Sequence, residues 1–419
     1  MTISTKPVLW GEVDENGRLT IPAEIAAQYG LKPGAKVLFG QEESGVHLHR
    51  PVTHLAKLYI EPSGRCNLDC VTCMRNVWTA PNEIMAEATF DRIMAGLSEF
   101  SPPPLVFFGG IGEPLMHPRL PEMIARVKTL GSSVELITNG TLLTERLSHQ
   151  LIEAGLDVLW VSLDGATPES YADVRLGASL PKVLENLKQF NRARPKGHRP
   201  IPEIGIAFVA MQRNIHDLPE VMRIGRQLRA TRLSVSNVLP YTEEMCQERL
   251  YDKVLNNMSF QPSPWGRKMS LPKMNPDGVL GEVLSQALNK GWNIKVAGSN
   301  LGSTNDTCPF IENGTMAIGW DGGASPCLPL LHSHISYWGT RHYFSHQYII
   351  GNVAERSLRA LWEAPDHQSY RHKVQGYEFA PCTFCGGCEL AYENQEDCFG
   401  NEFPTCGNCL WSQGVIQCP

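Results

Sequence analysis

Between residues 55 and 239 short apolar runs alternate with longer amphipathic stretches, and this alternation constrains the fold more than any other feature of the chain. The runs Leu55 to Ile60, Leu105 to Phe108, Val134 to Thr138, Val158 to Ser162, Ile204 to Ala210 and Leu233 to Leu239 read as strands. The stretches Glu87 to Phe100, Leu120 to Leu130, Glu145 to Ala154, Leu180 to Phe190 and Leu218 to Leu228 read as helices. Strands separated by helices predict parallel pairing, because each crossover returns the chain to the same end of the sheet. The expectation is an α/β fold whose parallel sheet curls into a partial (β/α)6 barrel, with its site at the carboxyl ends of the strands.

The first of those ends runs directly into Cys66-Asn-Leu-Asp-Cys70-Val-Thr-Cys73. Three thiols at this spacing can face one centre and hold a soft metal cluster. A structural zinc site is closed by four protein ligands. No fourth Cys or His lies nearby, so one coordination position is left for something else. After the second strand, Gly110 and Gly112 would let backbone approach a ligand, and Glu113 offers an acceptor for an ammonium group. Thr138-Asn139-Gly140 turns after the third strand, and Ser162-Leu163-Asp164-Gly165 after the fourth, with Asp164 read as a helix N-cap.

In position and spacing, the triplet and these loops resemble the radical S-adenosylmethionine (radical SAM) superfamily. The resemblance implies a TIM-like partial barrel, a 4Fe-4S cluster on Cys66, Cys70 and Cys73, and S-adenosyl-L-methionine on the open iron. It further implies that Gly110, Gly112 and Glu113 hold the methionine amine and that Ser162 and Arg175 contact ribose and carboxylate. Asn139, Asn214, Val238 and Leu239 fall where relatives approach the cofactor. Thr72 stands where relatives often carry an aromatic residue near the adenine, so adenine is expected to be held differently here.

Thirteen cysteines are too many and too unevenly placed for a disulfide scaffold: three lie at 66–73 and seven between 382 and 418. Metal ligation is the better reading. From Cys308 onward the chain resembles the SPASM extension, an auxiliary iron-sulfur domain. Cys308, Gly322 and Cys327 match its opening, Gly351-Asn352-Val353 with Leu361-Trp362 its middle, and Cys382 with Cys385 its closing run. Cys388, Cys398, Cys406, Cys409 and Cys418 depart from the usual spacing. Nine thiols suffice for one or two auxiliary 4Fe-4S clusters, with ligands drawn from Cys308, Cys327, Cys382, Cys385, Cys388, Cys398, Cys406, Cys409 and Cys418; one cluster plus a zinc knuckle on Cys406 and Cys409 is the alternative. His332, His334, His342 and His346 match no common metal motif and read as packing or surface groups.

Residues 1–53 read as a small β-rich unit: strands at Arg18 to Pro22, Lys36 to Phe39 and Val46 to His49 flank a helix starting near Pro22. Gly17-Arg18, Ile21-Pro22, Gly30-Leu31 and Pro33-Gly34 resemble the AbrB-like swapped-hairpin family, which implies a homodimer or a pseudo-dimer with a partner. Many AbrB-like proteins bind DNA. Here five basic residues face six acidic ones, which argues against phosphate binding.

The expected organisation is therefore 1–53 AbrB-like, 54–260 radical core, 261–300 linker and 301–419 SPASM-like. Over residues 242 to about 300, Met245, Met258, Trp265, Met269 and Met274 read as loop packing, with the lining of a substrate channel as the alternative. A net charge of −6 suggests no nucleic-acid partner, and the start lacks a leader pattern, which points to a cytoplasmic protein without a membrane span.

The head, core and tail together resemble maturases associated with tungsten-dependent aldehyde oxidoreductases. That implies a peptide or protein substrate, or a protein-bound cofactor, and a reductant such as ferredoxin or flavodoxin. Peptide crosslinking through thioether or carbon-carbon bonds, and formylglycine formation, are alternatives. A dimeric iron-sulfur redox sensor is the alternative outside enzymes.

Overall fold

The structure, a computed structural model, describes residues 10–42, 45–78, 80–197, 200–251, 268–272, 274, 278–289, 293–296, 299–301, 307–338, 341–383 and 388–419. Its centre is a nine-stranded sheet. Six parallel strands run in sequence order across it: Lys57–Ile60, Leu105–Phe108, Val134–Thr138, Val158–Ser162, Glu203–Ala210 and Arg232–Asn237. The helices Glu87–Leu97, Leu120–Lys128, Glu145–Glu153, Leu180–Ala193 and Leu218–Gln227 make the crossovers. Each expected strand is present.

These helices form because their apolar residues recur at helical spacing. In Leu120–Lys128 the buried positions are Leu120, Met123, Ile124 and Val127. Thr144 caps the next helix by accepting the Leu147 N–H, and Thr167 and Ser170 form a capping box at the start of Pro168–Val174.

The strands alternate faces. Leu58, Ile60, Val106 and Phe108 pack in the core beneath the helices, whereas Tyr59 and Phe107 point the other way. That other face is covered by the cysteine-rich region: Tyr59, Phe107 and Trp160 share an apolar cluster with Phe310, Ile311 and Leu331.

The C-terminal region therefore does not stand apart from the barrel. Thr315–Ile318 pairs parallel with the first strand, Gly323–Ser325 adds antiparallel to it, and Gly351–Asn352 completes the edge. Leu358, Leu361 and Trp362 enter the barrel core. Gly96 permits this, since a Cβ there would lie 2.5 Å from that of Leu358.

In the expected linker, Lys268–Leu271, Asn293–Val296 and Ser299–Leu301 form a small sheet beside the helix Gly278–Asn289. Met245 is buried with Val174, Met211 and Val238, while Met274 is exposed. Met258 and Trp265 lie outside the described residues.

In the N-terminal unit Glu12–Val13 pairs with Leu19–Thr20, the helix Ala23–Tyr29 follows Pro22, and Phe39–Glu42 pairs with Gly45–Leu48, so the strand expected over Lys36 to Phe39 begins only at Phe39. It is fastened through residues 50–53. Val52 and Arg50 carbonyls accept from Arg371 and Gln375, and the Thr53 carbonyl accepts from Trp362.

Candidate active site

The cysteine triplet lies at the carboxyl end of the sheet, held by backbone bonds from two sides. Asp69 and Val71 donate N–H groups to Leu176 and Val174, beyond the fourth strand. Glu113 donates to Arg65, beyond the first. Gly112 passes so close to Ser63 that a Cβ would lie 1.9 Å from its carbonyl oxygen, so a larger residue would push the second loop off the first.

All three cysteines are half-buried and open on a cavity of about 230 Å³, walled also by Gly110, Gly112, Glu113, Ser162, Arg175 and Tyr241. Burial pushes each thiol up, Cys73 to about 11, while the Leu68 and Arg75 N–H groups directed at Cys66 and Cys73 favour the thiolate. Thiolates crowded here call for a cation.

Glu113 is 2% exposed. One carboxylate oxygen accepts from the Leu115 N–H at 3.0 Å and the Thr138 hydroxyl at 2.7 Å; the other accepts from the Asn139 N–H at 2.8 Å. Burial raises its pKa, and these donors oppose the rise. Two carboxylate oxygens have about four acceptor positions, so three donors leave one for a ligand's ammonium group.

Opposite it, Arg175 meets Asp164 at 2.6 Å, and Asp164 is fully buried. Burial works against the Arg175 charge, but Asp164 outweighs it and holds the guanidinium protonated more firmly than usual. The expected N-cap role of Asp164 is corrected here. The cap is Thr167, while Asp164 accepts the Val209 N–H at 2.7 Å and anchors Arg175 toward Cys70. Sequence proximity to a helix start suggested the cap; the buried cation that claims the carboxylate is only visible in three dimensions.

Asn139 stands at the triplet without lining the cavity: its side-chain amide bonds Asn67 at 3.0 Å and is directed at the Cys66 sulfur at 3.9 Å. Leu239 faces a second cavity. Asn214 is engaged with the Asp164 and Val209 carbonyls and the Met211 N–H.

Tyr241, unmarked in the sequence reading, is the aromatic side chain among the described residues walling the triplet's cavity, and Thr72 lies in the same wall. An aromatic residue just past a strand end was the available signal.

The second cavity is small, about 50 Å³, and apolar. Four cysteines line it: Cys308, Cys327, Cys406 and Cys409. Burial, together with the neighbouring cysteines, pushes Cys308 and Cys327 far up, and burial pushes Cys406 to about 12. N–H groups of Phe310 and Ile311, of Leu330, and of Trp411 and Ser412 are directed at Cys308, Cys327 and Cys409. This is a set of three buried cysteines and one partly buried, Cys409, of which Cys308, Cys327 and Cys409 are supplied with donors that favour the thiolate, and it fits a fully ligated iron-sulfur cluster. Cys406 and Cys409 thus line the same cavity as Cys308 and Cys327.

Of the remaining candidates, Cys382 is buried outside this cavity and Cys388 and Cys398 are exposed. Cys418 accepts from the Trp411 indole at 3.4 Å in another recess, and Cys385 lies outside the described residues.

Leu239 lines the apolar cavity, and Tyr241, two residues on, lines the triplet's. His334 lines the apolar cavity, and its ring centroid is 6.0 Å from that of Tyr241. His332 is buried too, bonded to Glu61 at 2.7 Å and stacked on Trp320. His342 stacks on Tyr392, and His346 bonds Glu393.

A thiol triplet open to a ligand at the end of a parallel barrel, beside a closed four-thiol cavity, defines an iron-sulfur enzyme of the radical SAM class with a SPASM domain. Family models agree: the radical SAM superfamily matches residues 60–222 and the SPASM iron-sulfur cluster-binding domain residues 308–389. Over 366 residues the chain is 33% identical to the tungsten-containing aldehyde ferredoxin oxidoreductase cofactor-modifying protein of Pyrococcus furiosus, spanning 86% of this chain and 96% of that one. The chain belongs to the family of that protein.

It is also 24% identical over 326 residues to the Fe-coproporphyrin III synthase of Methanosarcina barkeri, spanning 71% of each. Among solved structures, SuiB of Streptococcus suis bound to S-adenosylmethionine has a TM-score of 0.51 at 16% identity, covering 80% of this chain and 71% of that one. The S-adenosylmethionine-bound anSMEcpe has a TM-score of 0.50 at 18% identity, covering 81% and 88%. These two similarities concern the fold.

Proposed function

We propose that this radical SAM enzyme is a maturase that modifies a protein-bound cofactor, peptide or protein, with a tungsten-dependent aldehyde oxidoreductase as its client. The observation that carries this reading is the nearly full-length match to the Pyrococcus cofactor-modifying protein, which extends through both cluster regions. When bound, the triplet's reduced 4Fe-4S cluster would supply one electron that splits S-adenosylmethionine into methionine and a 5'-deoxyadenosyl radical.

The chain's own residues do the positioning. Cys66, Cys70 and Cys73 hold the cluster; Glu113 accepts the amine of S-adenosylmethionine; Arg175, fixed by Asp164, faces its carboxylate; Gly110, Gly112 and Ser162 shape the wall. Tyr241 supplies the aromatic surface that Thr72 does not. Cys308, Cys327, Cys406 and Cys409 hold an auxiliary cluster that exchanges an electron with the substrate radical.

A ferredoxin or flavodoxin supplies the electrons, and a reducing cytoplasmic setting keeps the thiols available. Among the described residues no helix is long and apolar enough to cross a membrane. The N-terminal unit serves dimerisation. Trp10, Val13, Leu19, Phe39 and Val46 are 59% to 81% exposed, an apolar surface that a swapped second copy would cover.

The test is a mass-spectrometric comparison of the cofactor in a tungsten oxidoreductase produced with and without this protein. A mass difference that also disappears with the triplet variant supports the reading. Identical cofactors in all three preparations overturn it.

A further inference from the structure

The N-terminal unit and the cysteine-rich region meet at three side chains that the enzyme's chemistry does not use. His47 lies in the strand Gly45–Leu48, and His49 continues the ladder by donating its N–H to the Leu38 carbonyl at 3.0 Å. Residues two apart on an extended strand face the same side, so the two imidazoles are neighbours, with ring centroids 4.6 Å apart and planes nearly perpendicular. Glu312 comes from the opposite partner. It ends the short helix Pro309–Glu312, which begins immediately after Cys308. Its carboxylate lies 2.9 Å from His49 Nδ1.

One nitrogen from each histidine and one oxygen of Glu312 lie within 4.8 Å of one another. In a tetrahedral site with bonds near 2.0–2.1 Å, ligand atoms stand roughly 3.3 Å apart. The His49 and Glu312 atoms are already at about that separation. His47 is exposed and can close the remainder by side-chain rotation, whereas His49 and Glu312 are each 17% exposed and held in place. Two imidazoles and one carboxylate suit a borderline divalent ion and leave a fourth position for water.

We propose that His47, His49 and Glu312 bind one divalent cation of the zinc class, which clamps the N-terminal unit onto the region carrying Cys308. The clamp joins segments 263 residues apart in the chain. It adds to the bonds from Arg371, Gln375 and Trp362 to residues 50–53, which secure only the exit of that unit. The competing cation is Arg50, whose charge is attracted to Glu312. The proposal is independent of the substrate assigned above.

Zinc titration of the full-length, cluster-loaded protein under anaerobic conditions tests the site, with a chromophoric chelator as competitor and iron per chain measured in parallel. The wild type is expected to bind one zinc more than His47→Ala/His49→Ala, with unchanged iron. Glu312→Gln, which keeps the side-chain shape, is expected to weaken that zinc at least tenfold. Zinc held at incompletely filled cysteine sites would be common to all three proteins and cancels in the comparison. Equal stoichiometry and affinity in the wild type and both variants would overturn the proposal.

Discussion

The two thiol sites are built from the same residue type and differ in almost everything else. At the triplet, three half-buried cysteines open on a cavity of about 230 Å³ with mixed polar and apolar walls that include a carboxylate and a guanidinium. At the auxiliary cavity, four sulfurs surround about 50 Å³ of apolar space. The triplet leaves a coordination position open beside charged groups, where a ligand can bind, whereas the four-thiol set would fill every protein-ligand position of a cluster in apolar surroundings.

The largest effect should come from emptying one site and leaving the other. Cys66→Ala/Cys70→Ala/Cys73→Ala is expected to abolish 5'-deoxyadenosine formation from S-adenosylmethionine and dithionite, measured by chromatography, while auxiliary iron remains. Loss of all iron would break the separation.

Next is Asp164→Asn, which leaves Arg175 buried without its counter-charge. Breaking a buried pair of this kind costs roughly 3 kcal/mol. Thermal unfolding should show that loss, and S-adenosylmethionine binding should weaken with it. An unchanged melting temperature would mean that the pair at 2.6 Å does not organise the open site.

Glu113→Gln tests the acceptor itself. It retains shape and one carbonyl acceptor but loses the charge, and hydrogen bonds to charged groups are worth about 1.5–3 kcal/mol. S-adenosylmethionine should bind at least tenfold more weakly by equilibrium titration, with iron content unchanged.

The smallest expected effect concerns the packing behind the auxiliary region. His367 is buried against Trp362, and burial lowers its pKa from 6.5 to about 3, with Arg371 adding to the shift. Below pH 6.5 the unfolded chain takes up a proton that the folded chain refuses, so this contribution to stability is full above 6.5 and falls away toward pH 3. His367→Gln should flatten the decline of melting temperature across that window.

The barrel was legible because parallel strands buried on both faces are nearly continuous apolar runs, and because Val106 to Phe108 and Val158 to Val161 could be little else. The triplet was legible because its ligands are local. What escaped the sequence reading was non-local. The pairing of Thr315–Ile318 with the first strand joins segments some 250 residues apart and carries no mark in either. The same holds for the auxiliary set, where Cys308 and Cys327 find Cys406 and Cys409 across intervening cysteines whose spacing is equally suggestive. The sequence neighbours of Asp164 point to a helix cap, whereas its contact is with Arg175, a neighbour in space.

The central claim is that the open and closed sites hold separate clusters and that only the open one takes S-adenosylmethionine. Electron paramagnetic resonance of the dithionite-reduced protein tests it most directly, comparing the triplet variant with a Cys308→Ala/Cys409→Ala variant, each with and without S-adenosylmethionine. The signal that survives in the Cys308→Ala/Cys409→Ala protein should shift when S-adenosylmethionine is added, and the signal that survives in the triplet variant should not. A shift in the triplet variant, or none in its counterpart, would contradict the account.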